Sequence, residues 1–411
     1  MKIKKEEKTM PQFQTLKDFD LKGKKVLLRA DLNVPAQRSK VTDTTRIDRL
    51  KPTIDYLCAA GAKVLILSHF GRPEGEQNPA MSLVFLGPVL EKCWGRNVRF
   101  APDCIGAAAE KITATLQEGE IALLENVRFH KGEKKNDPAF AKALASLGDL
   151  YVNDAFSASH RAHASTEGIA HLLPSAAGFL MEAELNALNN ALESPQKPVA
   201  AITGGSKIST KLKVLNNLIE KVDYLILGGG MANTFLYAKG AELGDSLFEK
   251  DMKEQAQEIL KRAQDMNCEI VLPEDVVSVK EIKQGAPFEV VNAMSIPAEH
   301  RAIDIGEKSI ARIQSILDEC KTLLWNGPMG VFEIKPFDNG TNAIANHAAK
   351  LTQSGKLISV AGGGDTVAAL DNAGSVDQMT YVSSAGGAFL EWLQGETLPG
   401  VAALGAFKKA A

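Results

Sequence analysis

Two familiar nucleotide signatures are missing from this chain. No GxxxxGK[ST] loop occurs, and no GxGxxG opens a helix after a strand, so P-loop and Rossmann readings lose their main support. Cysteine is sparse: the five residues Cys58, Cys93, Cys104, Cys268 and Cys320 form neither a CxxC pair nor a spacing that suits a metal. Their odd number and scatter point to reduced thiols and a cytoplasmic location. No apolar run reaches transmembrane length. A formal net charge of -3 without a long basic run argues against a nucleic-acid or membrane partner. The opening MKIKKEEKTM is charged and lacks the apolar core of a secretory signal, so residues 1–9 are expected to form an extension, with Met10 an alternative start.

What is present is a long, regular alternation. At 411 residues the chain exceeds what one hydrophobic core usually supports, so two domains are expected. Strand-like runs such as VLLRA, VLILSH and IALLEN are continuous in Val, Ile and Leu, which suggests burial on both faces. Helical stretches follow them, near 44–60, near 82–94, and in DPAFAKALASLG, where Asp137–Pro138 supplies a cap and a first-turn proline. The predicted fold is α/β, with two lobes, each a parallel sheet flanked by helices, joined by an interdomain helix. The expected division is an N-terminal domain over 10–180, the helix over 181–194 in MEAELNALNNALESPQKP, a C-terminal domain over 195–395, and a tail over 396–411.

The second half repeats an apolar strand, a glycine cluster and a helix four times, in AAITGGSKIST (200–210), YLILGGGMANTF (224–235), LISVAGGGDTV (357–367) and YVSSAGGAFLEW (381–392). Glycines let backbone N–H groups approach an anion, and a helix N-terminus adds partial positive charge. Four such loops favour a phosphate-binding face over ordinary turn punctuation. In the first half the strands end in polar groups instead, in VLLRADLNVP (26–35), VLILSHFGRP (64–73), IALLENVRFH (121–130) and LYVNDAFSASHRAHAS (150–165). Arg46, Arg72, Arg128 and Arg161, with His69 and His163, would line one rim with donors suited to carboxylate and phosphate oxygens.

Each residue also has a plainer reading. Lys207 and Lys211 stand at i, i+4 and would share a face if a helix begins near Lys207; otherwise they are solvated lysines. Asp365 serves either as a helix N-cap or as a carboxylate for Mg²⁺ bridging nucleotide phosphates. Glu333, closing WNGPMGVFE, either ends a tight connection or meets a ribose hydroxyl. His69 is either a satisfied structural histidine or part of an anion site. Asp31 and Asn33 either fix the turn before Pro35 or orient a substrate hydroxyl.

In this order the motifs resemble those of the phosphoglycerate kinase family. RADLNVP is similar to the family's RxDxNVP, SHFGRP to SHLGRP and ENVRFH to ENxRF. NDAFSASHRAHAS, GGSKISTK, LGGGMANTFL, WNGPMGVFE, AGGGDT and LEWLQGETLPGV resemble later family segments. The resemblance runs from about Leu16 to the C-terminus. Departures are small: Leu32 for a common Phe, Gln37–Arg38–Ser39 where Asp-Gly is frequent, and Ser384–Ala385 for Thr-Gly beside Gly386 and Gly387.

The resemblance implies reversible phosphoryl transfer between ATP and 3-phosphoglycerate, with hinge closure and electrostatic stabilisation but no general base. It implies phosphoglycerate contacts from Asp31, Leu32, Asn33, Arg46, His69, Phe70, Gly71, Arg72, Arg128 and Arg161, with Arg46 at the reacting carboxylate. It implies nucleotide contacts from Lys211, Gly229, Asn326, Glu333, Gly363, Gly364, Asp365 and Thr366, and Mg²⁺ on Asp365. Lys207, with the N–H groups of Gly364 and Gly387, would stabilise the moving phosphoryl, and a monomer is expected. A different two-domain kinase, a nucleotide-dependent dehydrogenase and a non-catalytic anion-binding protein are the competing readings. None of them explains the full motif order.

Overall fold

The computed structural model describes residues 13–383 and 385–405. The expected extension at 1–9, Met10, Ser384 and the end of the tail lie outside the described residues. The chain divides into two compact units: one runs to Leu185 and resumes at Thr397, and the other spans Asn186–Glu396.

In the first unit a six-stranded sheet has the spatial order Val98–Ala101, Ile121–Leu124, Lys63–Leu67, Lys25–Arg29, Leu150–Asn153 and Ser175–Ala177. All its pairings are parallel. Val26, Leu27 and Leu28 are fully buried, as continuous apolar strands covered on both faces should be. Helix Thr45–Ala59 packs its Ile47, Leu50, Ile54 and Leu57 into this core. Helix Pro138–Ala145 starts where Asp137 Oδ1 accepts the Phe140 N–H at 2.9 Å.

The second unit repeats the architecture, in the order Glu269–Val271, Tyr224–Leu227, Val199–Thr203, Thr322–Asn326, Ile358–Gly362 and Tyr381–Ser383. These pairings are parallel too. From Val199–Thr203 the chain builds outward one way, and from Thr322–Asn326 the other. Such reversal points leave a crevice at the carboxyl ends of the central strands, where ligands of open α/β sheets usually sit. The central strands lead into Gly204–Gly205 and Asn326–Gly327.

Three features differ from the pattern in the sequence. An antiparallel sheet of Glu289–Asn292, Asp275–Val279 and Arg301–Ile305 interrupts the β/α alternation of the second unit. The helix expected at 181–194 is α-helical over Phe179–Leu188 and continues as a π turn, Asn189–Glu193. Residues 397–405 rejoin the first unit: the Gly400 N–H donates to Ser159 O at 2.9 Å, and Asn153 Nδ2 donates to Gly400 O at 3.3 Å.

Candidate active site

In the first unit three loops at the carboxyl ends of central strands are sewn together by their own polar groups. Arg46 Nη1 donates to Asp31 Oδ2 at 2.8 Å and to Asn33 O at 3.0 Å. Asn33 Oδ1 accepts the Gly71 N–H at 2.9 Å, and Gly71 O accepts Arg128 Nη1 at 3.0 Å. Gly71 has φ +64, and a Cβ there would approach Met81 Sδ to 2.9 Å, so the turn needs glycine twice over. The structure thus brings Asp31, Asn33, Arg46, Gly71 and Arg128 together. Leu32 is fully buried, its N–H on Ser68 Oγ at 3.0 Å, and Phe70 packs edge-on against Phe85. The Leu32 side chain belongs to the core and is not placed to touch a ligand.

Positive charge accumulates here. Burial, then the neighbouring Arg29, lowers the pKa of Arg128, with Arg161 and Arg72 adding to the effect and Glu133 opposing it. Arg128 Nε is buried with no hydrogen-bond partner among the described residues. Arg72 and Arg161 are exposed, with Arg161 Nε directed to His160 Nε2 at 3.0 Å. His69 is nearly buried, and its pKa is driven far below the ordinary histidine value by burial and then by Arg29, Arg128, His163 and Arg46. Burial, then Arg128, Arg29 and Arg161, bring His163 down to about 4.

Arg29 was not among the expected site residues. It ends an apolar strand and is 1% exposed, and a charged residue inside VLLRA was the signal for it. Its Nε donates to Ser165 Oγ at 2.9 Å, its Nη2 lies 3.0 Å from His69 Nδ1, and its Nη1 donates to Ala30 O. Ser165 binds the buried Glu133 through Oγ at 2.6 Å and its N–H at 2.9 Å. Spacing alone could not have joined four residues so distant in sequence.

In the second unit the candidate anion-binding elements are mostly backbone. A Cβ on Gly204 would lie 1.8 Å from Pro328 O, so the loops after Val199–Thr203 and Thr322–Asn326 touch main chain to main chain. Gly229, at φ +66 opening helix Gly229–Ala238, packs against Gly205 in the same way. Gly363, at φ +101, is the N-cap of helix Gly364–Asn372. A Cβ on Gly386, which opens helix Gly386–Leu393 with Gly387 in its first turn, would sit 3.9 Å from the Gly364 nitrogen. Two helix N-termini therefore converge, each with a positive dipole end. Thr366 Oγ1 accepts the Gly327 N–H at 2.7 Å, and Asn326 Nδ2 donates to Gly362 O at 2.7 Å.

Lys211 lies beneath this surface, its Nζ on Gly204 O at 2.8 Å and Asn326 Oδ1 at 2.7 Å. Burial pulls its pKa down to about 8, with Asp365 partly opposing the shift. The shared helical face considered for Lys207 and Lys211 does not form, because the helix begins only at Leu212. Lys207 stands exposed in the preceding turn, near enough to Glu249 for its charge to be felt there. Glu333 is exposed on a loop whose Gly330 packs over Asp304. Asp304 was not foreseen: it is buried, accepts the Gly340 N–H at 2.7 Å, and burial raises its pKa to about 7.

Asp365 is not the N-cap of its helix, a place taken by Gly363. Among the described residues its carboxylate makes no side-chain hydrogen bond and belongs to no cluster of three metal-ligating groups. One free carboxylate beside convergent anion sites suits a hard cation that shares its ligands with phosphates, as Mg²⁺ does. Asp103, Cys104 and His130 do gather in the first unit, with ligand atoms within 4.8 Å of one another. There Asp103 Oδ1 is satisfied by His130 Nε2 at 2.7 Å, while complete burial holds the Cys104 thiol protonated.

Residues 16–396 match the family described as phosphoglycerate kinase. The phosphoglycerate kinases of Rhodospirillum centenum and Methylorubrum populi are 57% and 56% identical, over 96% of this chain and 100% and 99% of those proteins. The structure of phosphoglycerate kinase from Coxiella burnetii matches with a TM-score of 0.90 at 42% identity, covering 96% of this chain and 99% of that one. That from Pyrococcus horikoshii matches at 0.77 and 32%, covering 95% and 98%. The chain belongs to the phosphoglycerate kinase family.

Proposed function

We infer that this chain is a phosphotransferase of glycolysis and gluconeogenesis. It moves a phosphoryl group reversibly between 1,3-bisphosphoglycerate and ADP, giving 3-phosphoglycerate and ATP. Beyond family membership, one observation carries the reading: Arg128 is partly buried among further arginines with an unpartnered donor, an arrangement that calls for a strongly anionic ligand.

The chemistry asks little of the protein beyond positioning and charge. A carboxylate nucleophile is ionised at neutral pH, so no general base is required. On this reading Arg72, Arg128 and Arg161 hold the phosphate end of phosphoglycerate, Asp31 and Asn33 orient its hydroxyl, and Arg46 stands at the carboxylate. Gly229, Asn326, Glu333, Gly363 and Thr366 contribute to the nucleotide site, with Lys211 on its phosphates. Lys207 and the N–H groups of Gly364 and Gly387 meet the charge on the phosphoryl in transit. Asp365 would hold Mg²⁺, which neutralises phosphate charge when bound. The protein is proposed to act as a cytoplasmic monomer without nucleic-acid or membrane partners. Among the described residues no helix is long and apolar enough to cross a membrane.

A coupled assay with ATP, Mg²⁺ and 3-phosphoglycerate tests the reading. ADP formation should depend on all three. A folded preparation that leaves 3-phosphoglycerate untouched would overturn it.

A further inference from the structure

We propose that Arg29 is a positioning residue that fixes His69 as a neutral imidazole with its proton on Nε2. The argument starts from what each group can donate. A guanidinium has N–H donors and no acceptor, so the 3.0 Å contact from Arg29 Nη2 requires His69 Nδ1 to present its lone pair. A neutral imidazole accepting at Nδ1 carries its proton on Nε2. Arg29 cannot turn away, since its Nε is committed to Ser165 Oγ and its Nη1 to Ala30 O. Ser165 is in turn held at both its N–H and its hydroxyl by Glu133, which is completely buried.

The charges around His69 act in the same direction. Burial opposes its protonation first, and Arg29, Arg128, His163 and Arg46 oppose it further. Glu133, the buried counter-charge, is separated from the imidazole by Arg29 and Ser165 in the chain of hydrogen bonds. His69 thereby offers a ligand one neutral N–H donor that does not titrate across physiological pH. An imidazolium in its place would add a charge that varies with pH to an already cationic rim. Within the proposed function, on which this inference rests, the donor serves an oxygen of phosphoglycerate.

The test reads the tautomer directly. Protein labelled with ¹⁵N-histidine gives two-bond proton–nitrogen spectra, and a His69→Asn variant assigns the His69 signals. The expected wild-type pattern is a pyridine-like Nδ1 and a pyrrole-like Nε2, unchanged between about pH 5 and pH 8. A proton on Nδ1, or a midpoint inside that range, would overturn the proposal. Arg29→Met should release the tautomer and let His69 titrate nearer about pH 6.5. Its KM for 3-phosphoglycerate should then rise roughly tenfold, for one hydrogen bond lost, and become pH-dependent, while KM for ATP stays put. Arg29→Lys, which keeps a donor-only cation, should restore much of the wild-type spectrum. Because Arg29→Met strands Glu133, the paired variant Arg29→Met/Glu133→Gln carries the same readout with no buried charge left unbalanced. An unaltered His69 spectrum in that pair would also sink the idea. Wild-type protein that shows the predicted tautomer yet fails to bind 3-phosphoglycerate would leave the Arg29 assignment standing and remove the proposed function.

Discussion

On the proposed function, the two units meet anions with different chemistry. In the first, the candidate donors are side chains held in place by neighbouring groups: Arg46 by the Asp31 carboxylate, Arg128 by the Gly71 carbonyl, His69 by Arg29. In the second, the donors are main-chain N–H groups at the helix N-termini of Gly364 and Gly386, reached through glycines that pack backbone against backbone. Side-chain donors can be arranged around one compact ligand, but each must be desolvated and supported, hence the buried Arg29–Ser165–Glu133 network. Backbone donors come already oriented and carry no side-chain entropy cost, but they tolerate no added Cβ.

The largest expected effect tests the exception on the backbone side. If the exposed Lys207 is the one cation there that acts on the moving phosphoryl, Lys207→Ala should lower kcat by about 10²- to 10³-fold. KM for ATP should change far less, because the contact strengthens only as charge develops. Near-normal kcat with a raised KM would return Lys207 to the solvated lysines and leave the second unit wholly to its backbone.

Next comes the claim that the glycines are structural necessities. Gly204→Ala should destabilise the protein by on the order of 3 kcal/mol, since its Cβ would overlap the Pro328 carbonyl. Gly87 has nothing within 4 Å of its Cβ position, so Gly87→Ala should fall within about 0.5 kcal/mol of wild type. Urea unfolding of the two variants gives the comparison. Equal stabilities would mean that the Gly204–Pro328 approach is not made in solution.

Within the first unit, a finer division separates the arginines. Arg161 is exposed, its Nε donating to His160 Nε2, so Arg161→Ala should raise KM for 3-phosphoglycerate by roughly ten- to a hundredfold, the loss of one charge-assisted hydrogen bond. Arg46→Ala should reduce kcat more than KM. The reverse partition would exchange the two ends of the substrate.

Much of this contrast was readable in advance, for a physical reason. Glycine clusters after apolar strands and polar residues ending others are local features, and local features survive in sequence. Asp137 before Pro138 signalled its helix because a cap and the first turn lie within four residues. Arg29 was opaque because its partners His69, Glu133 and Ser165 meet only once the sheet is assembled. The start of the helix at Leu212 was left open because Lys207–Lys211 has helical spacing, while the Lys211 side chain in fact reaches back to the Gly204 carbonyl. The antiparallel sheet of Asp275–Val279, Glu289–Asn292 and Arg301–Ile305 escaped a reading tuned to β/α alternation, since its outer strand EVVN is too exposed to give a continuous apolar run.

The smallest effect concerns the partly buried Lys211 beneath the backbone surface. Lys211 has a pKa of about 8 against an ordinary 10.5, chiefly because burial penalises its charged form. Two consequences follow with opposite signs. Between about pH 8 and 10.5 the unfolded chain holds this proton more often than the folded one, so the Lys211 contribution to stability rises with pH across that window. If Lys211 meets nucleotide phosphate, that contact needs the ammonium, so nucleotide affinity should be flat below about pH 7 and decline above about pH 8. Lys211→Met removes both trends, which separates this residue from every other group that titrates in the range. Calorimetric titration of ADP and urea unfolding, each over pH and each for wild type minus variant, should give slopes of opposite sign. An affinity difference that stays level through pH 9 would mean that Lys211 supports Gly204 and Asn326 without meeting the nucleotide, and the second unit would then bind phosphate through its backbone and Lys207.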